Sequence, residues 1–329
     1  MTPAAPLLPY RRHLSEYWRD FNKEIVSFSI TILLVVVGGL ISQGYSDIGY
    51  MILRIKVAAF VGIIGLIQAT VILSGGGGID VSVGTMASLG ALFGAAIMQG
   101  RDEMLLPALL AIAAVGFVLG LVNGLMITRL RIHPLIQTLA MSYVITGIIV
   151  AYSQGRKLLG RPSPLLERLV NDRLGPLFII ILVWVALVVG MEFLLRRSRV
   201  LRKVTAVGTN ERTALLCGVE ASSVRTAVYA WSGMCASLFG ALALGSVHTV
   251  YLDVGNQYLF PSVVACTIGG ISLAGGSGSY VGVLGGALVY TFLQSFLVTL
   301  NIDEAWRKVL FGLILVAVLV AYSRSRTAK

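Results

Sequence analysis

Residues 72–84 read ILSGGGGIDVSVG, which sets a carboxylate, Asp80, beside four consecutive glycines in a chain that is only 12% charged. An aspartate after a glycine break can cap the next helix. It would take hydrogen bonds from free amides near Ser82 and Val83 and face the positive end of the helix dipole. It can also mark a path, because broken backbone and ionisable groups at membrane depth are tolerated where they are buried in protein or line a cavity. A hydroxylated solute needs neutral hydrogen-bonding side chains along such a path, and the apolar runs offer Gln68, Thr70, Asn123, Gln137, Thr138, Ser142 and Gln294. Each of these can instead bond across helices as packing. The candidate pathway or gate is Gly77, Gly78, Asp80, Ser82, Asn123, Gln137 and Thr138, joined by Gly275 and Gly276 of a second glycine cluster at 275–282.

Other chemistry lacks its parts. Cys217, Cys235 and Cys266 have no metal-like or redox-like spacing and read as packing residues, so no metal site is expected. The string Gly275-Gly276-Ser277-Gly278 resembles the setting of an intramembrane serine nucleophile, but no histidine follows it to act as base, and His13, His133 and His248 fall in or beside loops. Residues 155–160 have the glycine spacing of a phosphate-binding loop, yet Arg161 and Pro162 replace its Lys and Ser/Thr. No catalytic residue is expected in this chain.

The elements that must position these residues are membrane helices. The 329 residues are 57% hydrophobic with a mean hydropathy of +0.87, more apolar surface than one soluble core can hide. Apolar runs near 24–44, 57–74, 81–99, 104–127, 134–153, 174–195, 226–247, 259–274, 279–299 and 305–322 predict an all-α integral membrane protein of about ten spans, some of them short. An even number places both termini on one side. With the termini inside, segments 11–23, 129–131, 196–225 and 324–329 hold 16 of the 26 lysines and arginines, so the positive-inside rule predicts cytoplasmic termini. The excess of basic residues thus orients the chain rather than binding nucleic acid. The division expected is a cytoplasmic tail at 1–23, partly an amphipathic surface helix, a transmembrane domain at 24–322, and a cytoplasmic tail at 323–329. A possible internal repeat lays GGIDVSVG at 77–84 on GGSGSYVG at 275–282.

Two loops stand out. Residues 196–225 form the longest inner segment and predict basic residues, a turn at Gly208-Thr209-Asn210, and a short helix over 211–216 with Asn210 as N-cap and Gly218 as its stop. The outer loop 154–173 is long enough to fold as a short helix over the mouth of a path, with charges suited to docking another protein. The small-residue runs 90–97 and 282–289 predict close helix packing.

Three segments carry a resemblance. SGGGGIDVSVGTMASLGAL is similar to the glycine-aspartate signature of permease subunits of ribose-type bacterial ABC importers. AVGTNERTALLCGV at 206–219 resembles that family's cytoplasmic loop, with Thr209 where the family usually has glycine, and GGISLAGGSGSYVGVLGGAL at 269–288 resembles its second glycine signature. The resemblance implies an inner-membrane importer subunit for a monosaccharide or related small polar solute, working by alternating access. It implies three partners: a cytoplasmic ATPase that binds the ATP and magnesium, a periplasmic sugar-binding protein, and a second permease chain, identical or different. Membrane lipid surrounds them. It also implies that Gly208, Asn210, Glu211, Ala214 and Gly218 form the helix that couples to the ATPase. The alternative, an ion-coupled secondary transporter, would need more buried acids than Asp80 and Glu192.

Overall fold

The computed structural model describes residues 14–154, 160–249 and 251–327. Thirteen α-helices follow in order among them. They are α1 (Leu14–Ile41), α2 (Ile48–Leu73), α3 (Val83–Met98), α4 (Leu105–Arg129), α5 (Pro134–Ser153), α6 (Pro164–Asn171) and α7 (Ile179–Arg197). Then come α8 (Arg199–Thr209), α9 (Glu211–Leu216), α10 (Ala221–Val247), α11 (Leu259–Ile268), α12 (Tyr280–Thr299) and α13 (Glu304–Thr327). Every apolar run of the sequence becomes a helix. Seven of the described helices are long and apolar enough to cross a membrane. The 16-residue α3 and the 10-residue α11 reach about 24 and 15 Å at 1.5 Å per residue, short of a hydrocarbon core of roughly 30 Å.

Four local features differ from expectation. Residues 14–23 continue straight into α1 rather than lying as a separate helix, and the rest of that tail is outside the described residues. The sixth run begins with a two-residue antiparallel hairpin, β1 (Arg173–Leu174) with β2 (Leu177–Phe178), before α7. Gly208 and Thr209 close α8 instead of forming a turn, so the basic segment at 199–209 is itself helical. Cys217 is exposed rather than packed in the core, whereas Cys266 is buried and donates to the Gly65 carbonyl at 3.2 Å. The outer loop does fold in part as a short helix, α6, capped by Ser163 on the Leu166 amide at 3.2 Å and opened by Pro164.

Helices α2, α3 and α10 form the centre. Lipid offers no hydrophobic drive between helices, so close backbone approach at small residues must supply it. Gly116, Gly120 and Gly124 make one stripe of α4, and a Cβ on any of them would overlap the α10 backbone near Gly233, Tyr229 or Thr226. Gly90 of α3 meets the Ser237 carbonyl in the same way. Helices α4, α5 and α7 turn Leu106, Leu110, Val118, Leu139, Val144, Val185 and Val189 outward, the surface that a membrane solvates.

Candidate functional site

The chain leaves α2 through Gly75, Gly76 and Gly77, all at positive φ, a backbone that side-chain-bearing residues rarely adopt. It then climbs back beside the helix it has just left. The side-chain amide of Gln68 pairs with both backbone groups of Asp80, accepting from its N–H at 3.0 Å and donating to its carbonyl at 3.2 Å. Gln68 lies six residues before Ser74, about 9 Å along α2, so Asp80 sits well inside the bundle. It is fully buried.

Its carboxylate is held from two sides. Oδ1 accepts from the Ser82 amide at 2.9 Å and the Ser82 hydroxyl at 2.5 Å, and Oδ2 accepts from the Ser232 hydroxyl of α10 at 2.9 Å. The expected bond to Ser82 is therefore made, and none forms to Val83. Asn123 of α4 donates to Ser82 Oγ at 3.0 Å, and Gln137 of α5 donates to Asn123 Oδ1 at 3.2 Å. On the other flank Thr138 Oγ1 accepts from the Val81 amide at 3.1 Å, and Ser142 donates to the Val81 carbonyl at 3.2 Å. Five polar residues scattered over α2, α4 and α5 thus converge on one segment. Thr70 does not join them; it bonds the Tyr280 hydroxyl at 2.8 Å. Gln294, on α12, makes no hydrogen bond to the segment.

Sequence reasoning missed the contribution of α10. Arg225, Tyr229 and Ser232 stand at i, i+4 and i+7, one face of a helix, and they meet the loop in register. Arg225 Nε donates to the Ser74 carbonyl at 3.4 Å, with its guanidinium beside Gly76. The Tyr229 hydroxyl lies 3.3 Å from where a Cβ of Gly78 would be and is buried with no hydrogen-bond partner. Ser232 reaches Asp80 as above. A polar stripe on an otherwise apolar span is the sequence signal that would have found it.

The second loop arrives at the same place. Gly275 would overlap the Cα of Gly75 if it carried a Cβ, and the Gly276 amide donates to the Leu73 carbonyl at 3.0 Å. Gly208 of α8 closes the junction: a Cβ there would overlap the same Leu73 carbonyl and stand 2.6 Å from the Gly276 nitrogen. Thr209 donates to the Gly276 carbonyl at 3.4 Å. Past this point Asn210 caps α9 by accepting from the Thr213 amide at 3.1 Å, Ala214 is buried against Val207 and Ala221, and Gly218 ends the helix at φ +76°. Glu211 pairs with Arg225 at 2.9 Å, so one arginine touches both α9 and the first glycine loop.

The start of α12 is neutralised differently. Glu192 of α7 accepts from the Tyr280 amide at 2.9 Å and from Arg196 at 2.7 Å. Ser279 accepts from the Gly282 amide at 2.9 Å and donates to Glu24 of α1. Glu192 is therefore a helix-terminus partner rather than a free intramembrane acid. No group of three or more His, Cys, Asp or Glu side chains forms a metal cage among the described residues.

Residues 51–319 match the family described as branched-chain amino acid transport system, permease component. The autoinducer 2 import system permease protein of Shigella flexneri is 30% identical over 93% of this chain and 89% of its own length, and the Escherichia coli (strain K12 / DH10B) protein of that name gives the same figures. The ribose import permease protein of Escherichia coli (strain K12) is 28% identical over 94% of this chain and 96% of its own. No solved structure matches. The chain belongs to this family of transport-system permease components, in the group of ribose-type importer permeases whose signatures its glycine loops resemble.

Proposed function

We propose that this chain forms the membrane path of an ATP-driven importer for a monosaccharide or a related small polar solute, in a bacterial inner membrane with both termini and α9 on the cytoplasmic side. The observation that carries the reading is the junction at Gly208, where the α8–α9 segment touches both glycine loops and Arg225 ties α9 to the loop that holds Asp80. A short exposed helix is marginal alone and persists when it is docked. Here α9 is the docking element for a partner ATPase, which binds ATP and magnesium, and Gly208, Asn210, Glu211, Ala214 and Gly218 give it its shape. Closure of the ATPase moves α9. The junction passes that motion to both loops, and the Asp80 network, with Asn123, Gln137 and Thr138, opens or closes the path. Its neutral donors and acceptors suit hydroxyls, and relatives named for ribose and for autoinducer 2 favour such a solute over the amino acids of the family's description.

The test is to tag the chain in its native membrane, purify it in mild detergent and determine what accompanies it. An ATPase and two permease chains, alike or different, are expected, with a periplasmic binding protein under crosslinking. Purification of a lone chain, even after crosslinking, would overturn the reading and favour a secondary transporter. A variant sharpens it. Proline at Glu211 would be tolerated as the first helical residue, but Ala214→Pro removes the bond to the Asn210 carbonyl and should leave membrane insertion intact while ATP hydrolysis no longer drives uptake.

A further inference from the structure

The end of α2 remote from the glycine junction carries two cations that the Asp80 network does not use. Arg54 and Lys56 line a cavity of about 370 Å³ together with Tyr50, Phe60, Ser246 and Tyr258, a size within the roughly 300–1,000 Å³ of small-molecule sites. No carboxylate lines it, and neither cation has an acidic partner among the described residues. Both residues are partly buried, and holding cations even partly inside a membrane span without a counter-charge is costly.

Both are nevertheless held in place by neutral groups. The Arg54 guanidinium lies over the Tyr50 ring, 4.6 Å from its centroid, and Tyr50 is fixed by a 2.6 Å hydrogen bond with Ser295. Arg54 Nε is buried with no hydrogen-bond partner. Lys56 Nζ donates to Asn171 Oδ1 at 2.7 Å above the Phe178 ring, and Asn171 donates to the Gly245 carbonyl at 2.8 Å. Arg173 sits over the same ring, 4.5 Å from its centroid. The arrangement pre-orients N–H donors and leaves their charge unanswered.

An anion could come from a lipid headgroup or from a solute. Arg54 and Lys56 stand six and eight residues into α2, about 9 and 12 Å from its start, near the outer edge of a hydrocarbon leaflet of about 15 Å, so the rest of the lining, not depth, chooses between the two sources. The rest of the lining is hydroxyl-bearing and aromatic, with Ser246, Tyr50, Phe60 and Tyr258, residue types that suit the hydroxyls and C–H groups of a sugar. We propose that this cavity binds the carboxylate end of a sugar acid, with Arg54 as the forked carboxylate ligand and Lys56 as a second donor, at the mouth of the path. That the mouth is the arrival side rests on the import reading above.

The experiment takes the full-length permease with its co-purifying subunits and follows its thermal stability against D-gluconate and D-glucose, with native mass spectrometry for retained phosphatidylglycerol. D-gluconate should stabilise the protein at concentrations where D-glucose does not. Arg54→Gln should weaken that effect about tenfold or more, as loss of a charge-assisted pair does. Arg54→Lys, which keeps the charge but not the fork, should lose most of it too and serves if Arg54→Gln fails to fold. Equal response to the two sugars, a gluconate response unchanged in these variants, or phosphatidylglycerol retained by the wild type and released by Arg54→Gln would each overturn the proposal. Ser246→Cys in a Cys217→Ser background, treated in spheroplasts with an impermeant maleimide, reads the direction. Labelling from outside supports the arrival side; labelling only after lysis overturns the import orientation while the anion site stands on the gluconate result.

Discussion

The two glycine loops meet at Gly208 and each opens a buried helix, yet they satisfy those helix starts in opposite ways. The loop before α3 carries its own acid, Asp80, and gathers polar side chains of the surrounding helices onto itself, Ser232 on Asp80, Asn123 on Ser82 and Thr138 and Ser142 on Val81. The loop before α12 has Gly278 in the matching position and borrows its acids from far away, Glu192 of α7 and Glu24 of α1. One charge concentrated in the interior makes the first loop a single point of failure. Support spread over two helices and Ser279 makes the second an anchor. The first loop is also the one that α9 reaches through Arg225. Under the proposed mechanism the same backbone motif serves as a reporting element on one side and as a frame on the other.

The largest effect should come from forcing the loops apart. Gly208→Val drives a branched side chain into the Leu73 carbonyl and the Gly276 amide, an overpacking cost of about 3 kcal/mol or more. Thermal unfolding in detergent should show the loss, and uptake should vanish with it. Asp80→Ala comes next. It strips partners from the Ser82 amide and the Ser82 and Ser232 hydroxyls, a cost of about 3 kcal/mol when buried polar groups are left unpaired. Asp80→Asn keeps an acceptor for Ser82 and separates the roles. A folded protein with no transport supports the gate, whereas a protein that does not accumulate supports a cap and nothing more.

Much of this was legible in the sequence because it was local. The apolar runs fix helix positions through length alone, and Asn210 with Gly218 bounds a short helix by capping chemistry that spans a few residues. The polar candidates in 68–142 were visible as exceptions in apolar runs. What was hidden depends on tertiary fit. That Gly208 ends a helix and wedges between two loops cannot be read from a Gly-Thr-Asn string, which equally spells a turn. The Gly116-Gly120-Gly124 stripe of α4 has a readable period, but only the backbone of α10 against it shows what it packs. Arg225, Tyr229 and Ser232 follow the spacing of a helix face, and their meaning comes from a loop some 150 residues earlier that bends back to meet them.

Smaller effects distinguish frame from reporter. Glu192→Gln leaves Gln as an acceptor for the Tyr280 amide and leaves Ser279 capping Gly282. It should cost only about 1 kcal/mol, because the Tyr280 bond weakens from charge-assisted to neutral and the Arg196 pair, exposed on the arginine side, adds little, with uptake largely kept. A loss as large as that of Asp80→Asn would erase the contrast between the loops. The smallest change in stability should come from Glu211→Ala, since the Arg225 pair is half exposed on the glutamate side and such pairs are worth roughly 0–1 kcal/mol. Its functional effect should be out of proportion. Cutting the pair frees α9 from the side chain that also holds Ser74, so ATP hydrolysis should continue while solute moved per ATP falls severalfold. Glu211→Gln, whose amide oxygen can still accept from Arg225 while Arg225 keeps its bond to Ser74, should retain more of that ratio than Glu211→Ala. A ratio unchanged in Glu211→Ala would mean that the backbone contacts of Gly208 transmit alone, and the first loop would then be driven no differently from the second.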